Sequence, residues 1–119
     1  MNFDDYIAQT LEDGKKFIDE NYKLYTDFQE LFDDLQLDDS VTGNMSGSYT
    51  FSSYKAKENV ADVIWDDDFN DELCETGANL SEIIKHGPEE VDVWARCLAV
   101  NRNYSELEKY YNDCRDVDE

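Results

Sequence analysis

Basic residues are scarce in this chain: ten Lys and Arg stand against thirty Asp and Glu, a formal net charge of −20. That balance excludes binding to nucleic acid or to an anionic membrane through the protein's own surface, because both are polyanions. It directs attention to cationic partners, either a basic protein groove or a divalent metal. A single Pro and five Gly leave no linker-like segment, and no internal repeat is visible. Histidine occurs once, at His86, so a zinc site would have to be built from cysteine. The three cysteines, Cys74, Cys97 and Cys114, are odd in number and have no CxxC spacing, which reads as a reducing compartment rather than a disulfide frame. No apolar run approaches the roughly 18 residues that span a bilayer, and the first residues carry Asp4 and Asp5 instead of the basic region of a signal peptide. The expected location is therefore the cytoplasm. GxGxxG, the phosphate loop and GxSxG are all absent, and no enzyme is expected.

What is present is enough to fold. The 119 residues make one domain with one modest core. They are 40% apolar and include eight Tyr, six Phe and two Trp, too much aromatic surface for a disordered chain. The net charge far exceeds the magnitude of about 2–8 that suffices for solubility, and its self-repulsion costs stability. Duplex DNA carries one charge per ~1.7 Å of axis, so twenty charges correspond to ~34 Å of duplex. A compact chain of this size has an expected diameter of about 35 Å, from a radius of gyration of roughly 13–14 Å. A DNA-like field is thus physically accessible.

Hydrophobic spacing is helical. From Phe3 to Leu35 apolar residues fall at Phe3, Ile7, Leu11, Phe17/Ile18, Tyr25, Phe28, Phe32 and Leu35, with Gly14 and Asn21 in the two weak steps. This predicts an amphipathic segment over 1–37, either one long helix or two joined near Glu20–Asn21, with Asn2 as N-cap. Its polar face holds carboxylates three and four apart, an arrangement folding does not favour. A turn-rich loop occupies 38–52, with room for a short hairpin over 41–51. Helices are then predicted from about Ser53 to Trp65, after "NLSE" (Asn79 to Glu82, the capping-box form), and from Pro88 in "GPEE". "VDVWARCLAV" (Val91 to Val100) reads as the core helix, and "NYSE" (Asn103 to Glu106) opens the last one. The predicted fold class is mainly α: a small single-domain helical bundle over 1–119 with a long N-terminal amphipathic helix.

Candidate sites are few. "DDSVTG" from Asp38 imitates an EF-hand opening, but position twelve is Tyr49 where a bidentate Glu is required. The run from Asp66 lacks the central Gly and reaches Gly77 at position twelve, so no metal site and no cofactor is expected. Cys97 has apolar neighbours and reads as a small buried hydrophobe rather than the nucleophile of a Cys–His pair. With thirty acids some carboxylates must be close, so proximity alone says nothing about glycosidase-type catalysis.

"DSVTGNMSGSYTFSSYKAKENV" (Asp39 to Val60) and "GPEEVDVWARCLAV" (Gly87 to Val100) resemble a family of small uncharacterised phage, prophage and mobile-element proteins. The shared marks are a TGNxSGSY-like loop (Thr42 to Tyr49), a helix around Ala56 and Glu58, and a late helix of the form E-x-x-D-V-x-x-R-C (Glu89, Asp92, Val93, Arg96, Cys97). Lys57 interrupts the family's Ala-Glu pair, and Leu98 stands where it often has Tyr. The resemblance implies a mobile-element origin and a small helical fold, and it brings no catalytic residue. The charge pattern is similar to that of phage DNA-mimic inhibitors of the anti-CRISPR and antirestriction type. The expectation is an inhibitor whose carboxylates replace phosphates in the basic groove of a host CRISPR effector or restriction nuclease. The phosphate surrogates would be Asp27, Glu30, Asp33, Asp34, Asp66, Asp67, Asp68, Asp71 and Glu72. The alternative is a helical adaptor docking through apolar positions such as Tyr22, Leu24 and Tyr25, or self-associating as a homodimer through the N-terminal helix. The turn-rich loop is then a structural joint between two acidic blocks.

Overall fold

The computed structural model describes residues 1–38, Val41 and residues 53–118. Among them are seven α-helices and no strand: α1 (Phe3–Asn21), α2 (Phe28–Gln36), α3 (Ser53–Val63), α4 (Asp67–Glu75), α5 (Leu80–Lys85), α6 (Pro88–Arg102) and α7 (Tyr104–Asp118). The chain is a mainly α bundle with a long first helix. The loop from 42 to 52, including all of the expected hairpin except Val41, lies outside the described residues; Val41 is buried.

Five of the seven helix starts have a visible local cause. Asn2 accepts from the Asp5 N–H (2.9 Å) while the Asp5 carboxylate accepts from the Asn2 N–H (3.0 Å), a full capping box where the sequence had indicated only an N-cap. Asp27 caps α2 and Asp66 caps α4. Pro88 opens α6 at the first helical position, after Gly87 at φ 106°, a left-handed conformation that suits glycine. At Asn79 the capping box of "NLSE" is only half formed. Its side chain accepts from the Ser81 N–H, while Glu82 faces Lys85 at 3.7 Å.

The periodic stretch to Leu35 is not one helix. α1 stops at Asn21, whose side-chain amide donates to the Phe17 carbonyl, and a single 3-10 turn over Tyr22–Leu24 redirects the chain into α2. The buried line of α1 is Phe3, Tyr6, Thr10, Gly14 and Ile18, one position away from the expected Ile7 and Leu11, which are half-buried. Polar chemistry explains the shift. The Tyr6 hydroxyl donates to Asp92 (2.6 Å), and the Thr10 hydroxyl donates to the Tyr6 carbonyl (2.8 Å) while accepting from Asn103 (3.0 Å). These groups are satisfied inside, so burying them carries little penalty.

Helix α6 is the hub, packed against α1, α3, α4, α5 and α7. Two cores line up along the molecule. One joins Phe3, Tyr6, Val63, Phe69, Leu73 and Val91. The other joins Ile18, Leu31, Phe32, Leu35, Leu107 and Tyr111. The resulting shape is elongated, 48 × 26 × 22 Å, with a radius of gyration of 14.7 Å. The apolar line of α1 is occupied within the chain.

Candidate acidic interface

The nine candidate carboxylates sit on two helices built on one plan. In α2, Phe28, Leu31, Phe32 and Leu35 face inward, which leaves Glu30, Asp33 and Asp34 on the solvent side. In α4, Phe69 and Leu73 are buried, and Asp67, Asp68 and Asp71 are exposed. Carboxylates three or four residues apart on such faces lie ~5–6 Å from one another.

The fold brings the two blocks to neighbouring points. The Gln36 amide at the end of α2 donates to the Asn101 side chain (2.6 Å), and Glu72 in α4 pairs with Arg102. Asn101 and Arg102 are consecutive, so both acidic helices approach the C-terminal end of α6.

Several of the nine already do structural work. Asp66 accepts from the Asp68 N–H (3.0 Å) and from the Phe3 N–H (2.9 Å), tying α4 to the start of α1. Asp27 accepts from the Glu30 N–H (2.9 Å), Asp33 from Gln29 (2.9 Å), and Asp34 from the Tyr25 hydroxyl (2.5 Å). The Asp34 hydrogen bond is the main reason the Tyr25 phenol is pushed up to about 12. Glu30, Asp67, Asp68 and Asp71 remain, all exposed, with no hydrogen bond or ion pair to their carboxylates among the described residues. Of the nine, these four are the ones whose charge the fold leaves to solvent.

Of the three arginines only Arg102 offsets this surface, pairing with Glu72 and lying near Asp68 and Glu75; the other two are tied into the bundle. Arg96 is buried against Asp92 at 3.3 Å and lies over the Tyr6 ring. Arg115 donates to the Tyr25 and Thr26 carbonyls and to the Tyr111 hydroxyl. Arg102 holds Glu72 and lies over the Phe3 ring.

No family model, curated protein or solved structure matches the chain. The site must therefore be read from its own chemistry.

Nucleophile chemistry finds little in this geometry. Burial, with a smaller contribution from Glu90, pushes the half-buried Cys97 thiol up to about 11, so little thiolate forms near neutrality. His86 is exposed at the end of α5. No group of three His, Cys, Asp or Glu among the described residues is arranged to hold a metal, and no described helix is long and apolar enough to cross a membrane.

Two features escaped the sequence reading. One is the buried set Tyr6, Asp92, Arg96, Thr10 and Asn103, which joins α1 to α6 and the start of α7. An Asp and an Arg four apart inside the apolar "VDVWARCLAV" were its only signal. The other is Trp65, 81% exposed beside the acidic run. Of the apolar adaptor positions, Leu24 is 75% exposed, whereas Tyr22 and Tyr25 are half-buried against the second core.

Proposed function

We propose that this chain is a non-enzymatic acidic inhibitor, encoded by a phage or mobile element, that mimics nucleic acid. Its target is the basic DNA- or RNA-binding groove of a host defence nuclease of the CRISPR or restriction type. The observation that carries the reading is the pairing of a −20 net charge with exposed carboxylates, free of hydrogen bonds and ion pairs among the described residues, on two helices. Spread along the 48 Å axis, that charge amounts to one per roughly 2.4 Å. This is somewhat sparser than the ~1.7 Å of duplex DNA, yet close enough to compete for the same groove. Such an inhibitor associates quickly by electrostatic steering and releases the enzyme's bound counterions as DNA does.

The test is a cleavage assay with a panel of CRISPR effectors and restriction nucleases. The wild-type chain should protect substrate DNA from at least one of them. A variant with Glu30→Gln, Asp67→Asn, Asp68→Asn and Asp71→Asn should protect far less. Full protection by that variant would reject mimicry through these helices.

The adaptor reading is favoured by one observation. Leu24 and Leu37 flank α2 and are 75% and 60% exposed. If binding to a target survives the four carboxylate changes and is lost in Leu24→Ser with Leu37→Ser, the adaptor reading replaces mimicry.

A further inference from the structure

Tryptophan is seldom left in solvent, because its burial removes some 150–250 Å² of mostly apolar surface from water. Trp65 is nevertheless 81% exposed, while Ile64 beside it packs on the first core. The exposure does not come from a loose backbone. Trp65 N–H donates to the Asp62 carbonyl (3.1 Å), and the next N–H, of Asp66, donates to the Val63 carbonyl (3.0 Å). Asn70 reaches back from α4 to the Ile64 and Asp66 carbonyls, and the Asp66 carboxylate holds both the start of α4 and the Phe3 N–H. The residue is presented on a turn fixed from three helices, so its backbone has little ordering entropy left to lose when a partner covers it.

Charge decides what kind of partner that is. From Glu58 to Ile84 the sequence contains nine acidic residues and no basic one. Asp67 and Asp68, which follow Trp65 almost directly, are exposed and without a hydrogen bond or ion pair to their carboxylates among the described residues. Asp62, one turn before Trp65 on α3, is exposed and meets the amino group of Met1 at 3.3 Å. An exposed aromatic side chain followed closely in the chain by exposed carboxylates complements a guanidinium better than any other common side chain. The flat cation stacks on the ring while its N–H groups reach the carboxylates.

We infer that Trp65, with Asp67 and Asp68, is the anchor point of the interface and takes an arginine of the basic partner on its indole face. The inference rests on the mimicry reading and sharpens it. The carboxylates supply the phosphate-like field, and Trp65 supplies the flat π-surface that a nucleobase would offer to a stacking arginine.

Fluorescently labelled octa-arginine and octa-lysine, titrated with the full chain at about 50 mM salt, test it by anisotropy. Wild type should bind octa-arginine roughly three- to thirtyfold more tightly than octa-lysine, the range expected of a cation–π contact. Trp65→Ala should remove that preference and leave octa-lysine binding unchanged. Because the side chain lies in solvent, its thermal midpoint should match wild type, so a loss of binding is not a loss of fold. Asp67→Asn with Asp68→Asn should weaken both peptides. An arginine preference that persists in Trp65→Ala overturns the role of Trp65 and leaves mimicry standing. Failure of wild type to bind either peptide overturns both readings.

Discussion

Removing the Asp92 carboxylate should be among the most damaging single changes available in this protein. Asp92 is 0% exposed and Arg96 nearly so, with Nε to Oδ2 at 3.3 Å, and the other carboxylate oxygen accepts from the buried Tyr6 hydroxyl at 2.6 Å. Asp92→Ala strips the Arg96 guanidinium of this counter-charge and leaves it inside the bundle, which costs about 3–5 kcal/mol. A domain of this length has a total stability of roughly 6–18 kcal/mol, at ~0.05–0.15 kcal/mol per residue, so the variant loses a large share of it. Tyr6→Phe removes only one hydrogen bond to a charged acceptor and should cost about 1.5–3 kcal/mol. Replacing both charges with apolar residues, Asp92→Leu with Arg96→Met, leaves neither an orphan charge nor an orphan hydroxyl when made together with Tyr6→Phe, and should then lie within about 1 kcal/mol of wild type. Urea unfolding followed by helical circular dichroism, at one fixed salt concentration, gives all three numbers. If Asp92→Ala costs less than 1 kcal/mol, or the triple change is worse than either single one, the pair is not what fixes α1 on α6.

Three further outcomes follow from particular contacts. Asp66→Ala should destabilise by about 1–2 kcal/mol through loss of the α4 cap and the Phe3 contact, whereas Asp67→Asn with Asp68→Asn should stay within about 0.5 kcal/mol, both read from the same urea curves. Gly14→Ala would set a methyl group 2.9 Å from a Leu107 methyl that is itself fully buried. The overpacking should outweigh the helix-propensity gain and cost about 1 kcal/mol in thermal or urea unfolding. Cys97 should be alkylated more slowly than exposed Cys74 at pH 8. Since the folded thiol keeps its proton to about 11 and the unfolded one only to about 9, its contribution to stability is complete below pH 9 and is lost as pH rises through 11. Mass-spectrometric labelling rates and unfolding curves at pH 8 and 10.5 check the two parts.

The helical class was readable because spacing, caps and breakers agree along most of the chain: Asn2, Pro88 and the apolar run of α6 each mark their elements locally. What sequence could not place was the buried line of α1. Phe3, Gly14 and Ile18 lie on the line the spacing selects, but counting apolar residues also selects Ile7 and Leu11, where Tyr6 and Thr10 lie inside instead. Their burial depends on partners 86 to 93 residues away, Asp92, Asn103 and Leu107, which no local pattern reveals. The same applies to the acidic blocks. Their crowding was plain, but which carboxylates are committed to caps and which stay free depends on contacts such as Asp66 with Phe3. The exposure of Trp65 was hidden because an aromatic residue at the end of an amphipathic helix ordinarily turns inward.

The central claim is that the protein acts as a surrogate for nucleic acid. The measurement that tests it most directly is displacement of labelled duplex DNA from a nuclease it inhibits, repeated from about 50 to 200 mM salt. Mimicry predicts that the inhibitor's affinity falls linearly on a log–log plot, losing orders of magnitude over that range as DNA binding does. Displacement that is absent, or that stays constant across the series, would contradict it.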